Sequence, residues 1–344
     1  MSDSSTWREL GKTLIGEPEL TSLDVATRAG IEIGKARRLW RALGFPPVPD
    51  EERAFTQSDV AVLQGICSLI HQQSMEEQVL LQLTRVTGQA LARIAEAQVA
   101  SAVDRFAGTA EGIGPEPVGS VTDTLAALAP QLEPFHAYVW RRHLLAALLR
   151  FAATTGQQSV SDRTLVVGFA DLVGFTAISQ QLSERDLAAL VDRFEALAYE
   201  HIPEQGGRVV KMIGDEVMFS IAGAQVGADL ALALLEAFKR DPTLPEVRVG
   251  LAIGPTLSWE GDLFGPTVNL SSRLVNLARP GTVLISEELG QEIEPLAAFE
   301  LRHLRPLALK GIGRVRSWVL RRKPTADVQQ STSTRSRRKR SERA

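Results

Sequence analysis

Asp171 closes the run "TLVVGFAD", and Asp215 lies in "VVKMIGDEVMF", where two apolar runs meet at a Gly-Asp step. The second passage has the pattern of a β-hairpin with a tight turn. If its strands neighbour the first one in a sheet, both carboxylates arrive at the same end, a few ångströms apart. Two carboxylates that close stay ionised together only with a cation between them. Two hard oxygen ligands suit Mg²⁺ or Mn²⁺, with the phosphates of a substrate completing the octahedra. Taken singly, each aspartate is equally a turn cap, a role Asp fills constantly.

Lys211 interrupts the first strand of the same hairpin, and a lysine among apolar residues needs a partner. Asp262, in "GDLFGP", is a candidate in two senses. It is either a salt-bridge mate or the second half of a reader of adenine, whose N1 accepts and whose N6 donates. Guanine inverts that pattern. Asn269 and Arg273 are four residues apart on a helical stretch, so they share one face. An amide beside a guanidinium suits a ribose oxygen and a phosphate oxygen, although such pairs also serve as caps and ion-pair partners.

These residues all fall between about 163 and 322, where short β-rich runs alternate with amphipathic helices. The order is a strand, a helix over about 183–201, the hairpin, and a helix near 225–240. It continues with the strand "VRVGLAIG", the helix "TVNLSSRLVNLA", the strand "TVLIS" and a last hairpin to "SWVLRR". That order predicts an α+β domain on a ferredoxin-like βαββαβ core.

Residues 1–158 have helical periodicity almost throughout. Two short helices around Gly30, then a third capped by Thr56 or Ser58, give a helix-turn-helix-like segment over roughly residues 20–70. A long amphipathic helix from Met75 to about Phe106 follows. A Gly/Pro-rich connector leads into a helical run broken near Pro130 and Pro134. Residues 323–344 are polar and basic, the composition of a disordered tail.

The composition, 44% hydrophobic and 23% charged with net charge −3, is that of an ordinary soluble globular protein and gives no global reason to expect nucleic acid or membrane. Residues 1–60 hold eight Lys/Arg against ten Asp/Glu, a poor footprint for phosphate contacts. The single cysteine, Cys67, excludes a disulfide framework and reads as a small core residue. No signal-like start or membrane-length apolar run is present, which predicts a cytoplasmic location.

Together, "FADLVGFT", "VVKMIGDEVMF" and "GDLFGPTVNLSSRL" resemble the signature segments of class III nucleotidyl cyclases, in order and spacing, over about residues 163–322 of a domain expected to span 159–322. The resemblance implies that Asp171 and Asp215, with the backbone carbonyl of Leu172, hold two Mg²⁺ or Mn²⁺ ions per active site. It assigns adenine selection to Lys211 and Asp262, ribose orientation to Asn269 and transition-state stabilisation to Arg273. Lys310, in "LALKGIGRV", aligns with a lysine used on the β,γ-phosphates. The implied reaction converts ATP to 3′,5′-cyclic AMP and pyrophosphate. It further implies a head-to-tail homodimer, because the family divides each site between two catalytic domains.

The first 158 residues resemble the regulatory domain of autoinhibited, pH-responsive actinobacterial adenylyl cyclases, which implies a dimerising domain that orients the catalytic halves. His71, His136 and His143 are candidate acid sensors, and a small apolar ligand such as a fatty acid is another conceivable input. Two other classes stand beside this reading: a DNA-binding regulator with the cyclase domain as nucleotide sensor, and a catalytically silent dimerisation module.

Overall fold

The computed structural model describes residues 4–73, 76–107, 118–154, 163–309 and 311–323. The chain divides into two compact units after Thr154. Among the described residues the first consists of helices: α1 (Ser4–Ile15), α2 (Ser22–Ala29), α3 (Ile33–Ala42), α4 (Gln57–Gln73), α5 (Glu77–Ala107) and α6 (Val118–Thr154). A capping box starts α2, in which the Asp24 N–H donates to Thr21 Oγ1 at 3.2 Å and the Thr21 N–H donates to Asp24 Oδ2 at 3.0 Å. Gly30 ends it at φ 68°, a left-handed position that favours glycine.

The helix-turn-helix-like segment packs Val25, Ala36, Leu39, Trp40 and Leu63 into one core with Leu80 of α5. The Thr56 N–H and hydroxyl both donate to Asp59 Oδ2, at 2.7 and 2.9 Å, so Thr56 rather than Ser58 opens α4. The cations of α3 are engaged within the chain. Lys35 and Arg38 ion-pair with Glu77 at 3.3 and 2.9 Å, and Arg37 with Asp50 at 2.5 Å. A helix reading DNA would need those charges free for phosphates.

α6 corrects the expected break, because it runs 37 residues with Pro130 and Pro134 inside it. Each proline removes one backbone hydrogen bond. Both prolines are exposed, so the carbonyls they free lie on the water side, where solvent can satisfy them. His136 lies 3.0 Å from Gln98 of α5, and His143 is exposed. The side chain of His71 lies outside the described residues, as do the connector over 108–117 and the tail from 324.

The second unit is α+β. Its elements are β1 (Arg163–Leu172), α7 (Phe175–Ser179), α8 (Glu184–Glu204), β2 (Arg208–Ile213), β3 (Glu216–Ile221), α9 (Ala224–Arg240), β4 (Val247–Trp259) and β5 (Asp262–Phe264). They continue with α10 (Pro266–Leu277), β6 (Val283–Ser286), α11 (Glu287–Ile293), β7 (Phe299–His303), β8 (Leu307–Leu309), β9 (Gly313–Val315) and β10 (Ser317–Arg322). The sheet order is β2-β3-β1-β4-β6-β10-β7, with β5 paired to β4. Its first four strands have the antiparallel order of a ferredoxin-like core, and β6, β10 and β7 extend it. The expected last hairpin is instead the β7–β10 pair, with the small β8–β9 ribbon inserted between them.

One face of the sheet buries Val166, Phe219, Val249 and Leu251 against Phe194 of α8 and Leu230, Leu234 and Phe238 of α9. The other face carries Phe169 and Met218 beneath Val275 of α10. Ser271 of α10 is fully buried, with its hydroxyl 2.8 Å from the Val167 carbonyl and 3.0 Å from that of Gly250. A Cβ at Gly250 would collide with the backbone of Val275, so this glycine lets the helix lie directly on β4. The contact fixes α10, and with it Asn269 and Arg273, against the sheet.

Candidate active site

The hairpin register builds the site. Gly214 takes φ 64° at the first of the two turn residues between the paired Ile213 and Glu216, the pattern of a type II′ turn. Next door, the Leu172 N–H donates to the Asp215 carbonyl at 3.1 Å, so the end of β1 is tied to the turn. Asp171 stands opposite Glu216 on one side and Arg248 on the other. Antiparallel partners directly opposite project to one face, so Ile213, Glu216, Asp171 and Arg248 form one row at the sheet end on the α10 side.

Asp171 is nearly buried, and Arg248 Nε donates to its Oδ2 at 2.6 Å. Burial pushes the Asp171 carboxyl upward, Arg248 opposes the shift, and nearby Asp215 adds to it. Burial likewise pushes Glu216 up to about 7, reinforced by Asp171 and Asp215. One guanidinium therefore serves a row with more negative than positive charge, a place where bound cations are favoured. Among the described residues no group of three or more His, Cys, Asp or Glu is arranged to hold a metal by itself. A cation here would take its remaining ligands from water or substrate, as Mg²⁺ commonly does. The donor set fits that group: hard carboxylate oxygens and no thiolate or imidazole.

Lys211 reaches the same face by regular alternation from the hairpin turn, two residues before Ile213. The β2–β3 register shifts between Val209 and Lys211, so Val209 opposes Phe219 while Lys211 opposes Met218. Without that bulge at Val210, Val209 would oppose Ser220 and leave the core shared with α8 and α9, whereas Lys211 would keep its place. The Lys211 ammonium donates to Asp262 Oδ2 at 2.5 Å, with 41% and 26% of the two side chains exposed. Asp262 Oδ1 accepts from the Leu263 N–H at 2.8 Å, which holds the carboxylate in place.

Asn269 and Arg273 are exposed on α10, and neither side chain bonds another described residue. The fold thus brings Asp171 to Asp215 and Lys211 to Asp262. It joins the Asn269/Arg273 face to neither pair by a hydrogen bond among the described residues. Lys310 lies outside the described residues. Sequence reasoning missed Arg248 and gave Glu216 no role. The signal for Arg248 was a charged residue opening the apolar strand "VRVGLAIG".

Residues 158–322 match the family described as adenylate and guanylate cyclase catalytic domain, and residues 10–172 match the adenylate cyclase regulatory domain. An adenylate cyclase of Streptomyces coelicolor is 34% identical over 345 residues, covering 91% of this chain and 88% of its own. The chain belongs to the adenylate cyclase family. An adenylate cyclase of Streptomyces griseus is 37% identical over 279 residues, covering 79% of this chain and 68% of its own. A pH-sensitive adenylate cyclase of Mycobacterium tuberculosis is 28% identical over 316 residues, covering 89% and 79%. As a member of this family the chain pairs a catalytic cyclase domain with a helical regulatory domain. Among the described residues no helix is long and apolar enough to cross a membrane.

Proposed function

We propose that the protein converts ATP to 3′,5′-cyclic AMP and pyrophosphate at sites shared between two copies of the chain in a head-to-tail homodimer, under control of its N-terminal domain. The single observation that carries the substrate assignment is the Lys211–Asp262 pair, with Lys211 set on the α10 face of the sheet by the hairpin register. Lys211 keeps further N–H donors for adenine N1, and Asp262 keeps lone pairs for the N6 amino group. Guanine would meet a donor where it donates and an acceptor where it accepts.

Asp171, Asp215 and the Leu172 carbonyl would hold two Mg²⁺ or Mn²⁺ ions. When bound, the ions lower the pKa of the ribose 3′-OH and neutralise the triphosphate. Asn269 orients the ribose through its amide, and Arg273 places a guanidinium where negative charge grows on the α-phosphate. Among the described residues both side chains are uncommitted, as residues that act across a dimer interface should be. Lys310 would hold the β,γ-phosphates. Positioning and electrostatics carry such phosphoryl transfer, and no side-chain nucleophile is required. Two-fold symmetry would give each dimer two equivalent sites.

The regulatory domain supports control of dimer geometry, with pH or a lipid-like ligand as the input and a cytoplasmic setting. The test is cyclic AMP production by the full chain from ATP and Mn²⁺ at acidic and alkaline pH. The expected result is product that depends on pH and falls by about a hundredfold or more in Asp171→Ala or Asp215→Ala. Wild-type protein that makes no cyclic AMP under either condition would overturn the reading.

A further inference from the structure

Glu216 is a half-buried carboxylate for which the proposed roles give no use. It stands directly opposite Asp171 across the β1–β3 pair and immediately follows Asp215. Like charges directly opposite in an antiparallel pair destabilise it. The nearby guanidinium relieves this only in part, because Arg248 lies on the far side of Asp171 and bonds Asp171. Glu216 itself bonds no described residue. A residue there needing only polarity would be served as well by Ser, Thr or Gln, without the repulsion.

We infer that Glu216 is a positioning residue of the metal site, holding metal-bound water beside Asp171 and Asp215 from the third place in the same carboxylate row. The inference rests on the metal-holding role proposed for Asp171 and Asp215. The three acids do not converge as a closed ligand cage, so Glu216 acts through water and not as a direct ligand. An ionised carboxylate is acceptor-only, so it requires donors. Water on a divalent cation is a strong, polarised donor, and outer partners of that kind orient the ligand sphere and tune its affinity. The negative charge of Glu216 also adds to the field that concentrates cations at the sheet end.

The role makes two predictions of opposite sign for one substitution. Glu216→Gln keeps the size and removes the charge. In metal-free full-length protein at about pH 8.5, where the carboxylate is ionised, it relieves the repulsion with Asp171, so the melting temperature rises. In the same protein Mn²⁺ alone, titrated and followed by electron paramagnetic resonance of the free ion, binds more weakly by about tenfold to a hundredfold. Glu216→Asp, which restores the charge, recovers part of that affinity, and the cyclase KM for Mn²⁺ follows the same order. A purely structural glutamate would lower the metal-free melting temperature and leave Mn²⁺ affinity alone. Unchanged Mn²⁺ affinity in Glu216→Gln, with affinity lost in Asp171→Asn, overturns this inference and spares the metal role of the aspartates. Unchanged affinity in both variants overturns the two together.

Discussion

Arg248 grips Asp171 from the neighbouring strand: its Nε donates to Oδ2 at 2.6 Å while its Nη1 donates to the Asn276 carbonyl of α10 at 3.0 Å. One side chain thus orients the carboxylate at the end of β1 and ties the last turn of the helix bearing Asn269 and Arg273 to the same row. Removing it would leave a nearly buried carboxylate without its partner, which costs more than the ion pair contributes.

Arg248→Ala is therefore expected to destabilise the protein by about 2–3 kcal/mol, somewhat below the range for a fully buried pair because both groups retain some exposure. Urea unfolding of the metal-free chain measures this. Asp171→Asn, which removes the charge that needs pairing, should cost clearly less, and equal losses from the two would contradict the account.

Lys211→Glu combined with Asp262→Ser alters the edge presented to the base. The ratio of ATP to GTP turnover should fall by about tenfold or more, since a site built on polar pairing rejects the wrong pattern strongly. Because Lys211 is turned out of the core, the melting temperature should change little. A preserved ATP preference in a folded double variant would remove Lys211 and Asp262 from base selection.

A shared site is tested by mixing. Asp171→Ala and Arg273→Ala should each be nearly inactive alone. Unfolded and refolded together in equal amounts, half of the dimers are mixed, and each of those has one intact site of two. Activity should then return to about a quarter of wild type. A site contained within one protomer would show no recovery.

Asp241, at the C-terminal end of α9, accepts from the Thr243 hydroxyl and N–H at 2.5 and 2.9 Å and from Arg193 Nε at 2.6 Å. Thr243 foremost, with Arg193, lowers its carboxyl from 3.8 to about 2. A depressed carboxyl contributes stability that is fully present above its unfolded value and is lost as pH falls through the folded one. Asp241→Asn should therefore lower the melting temperature at pH 7 and flatten the loss of stability on acidification between about pH 4 and pH 2. With Arg193 half exposed, the effect should be about 1 kcal/mol or less.

Much of this was legible in the chain. Period-2 and period-3.6 patterns marked the main strands and helices, the Gly-Asp step marked the hairpin, and Thr56 stood among the candidate caps of α4. α6 was not, because the cost of an interior proline depends on whether the freed carbonyl meets water, and that is set by which face the helix exposes. β7, α11 and the β8–β9 ribbon were too short to stand out as periodic runs.

The sequence by itself determined which chemical groups are present, their order along the chain and, through local spacing, that Asn269 and Arg273 share a face. Only the tertiary structure decided which groups meet. The hairpin register puts Lys211 on the α10 face, but only the pairing of β5 with β4 brings Asp262 to it. The bulge at Val210 returns Val209 to the core, since one extra residue reverses the face of those before it. Strand order, a long-range property, then placed Glu216, Asp171 and Arg248 in one row, although β1, β3 and β4 lie far apart in the chain. No local pattern encodes that neighbourhood, because it arises when both faces of the sheet find helices to cover them.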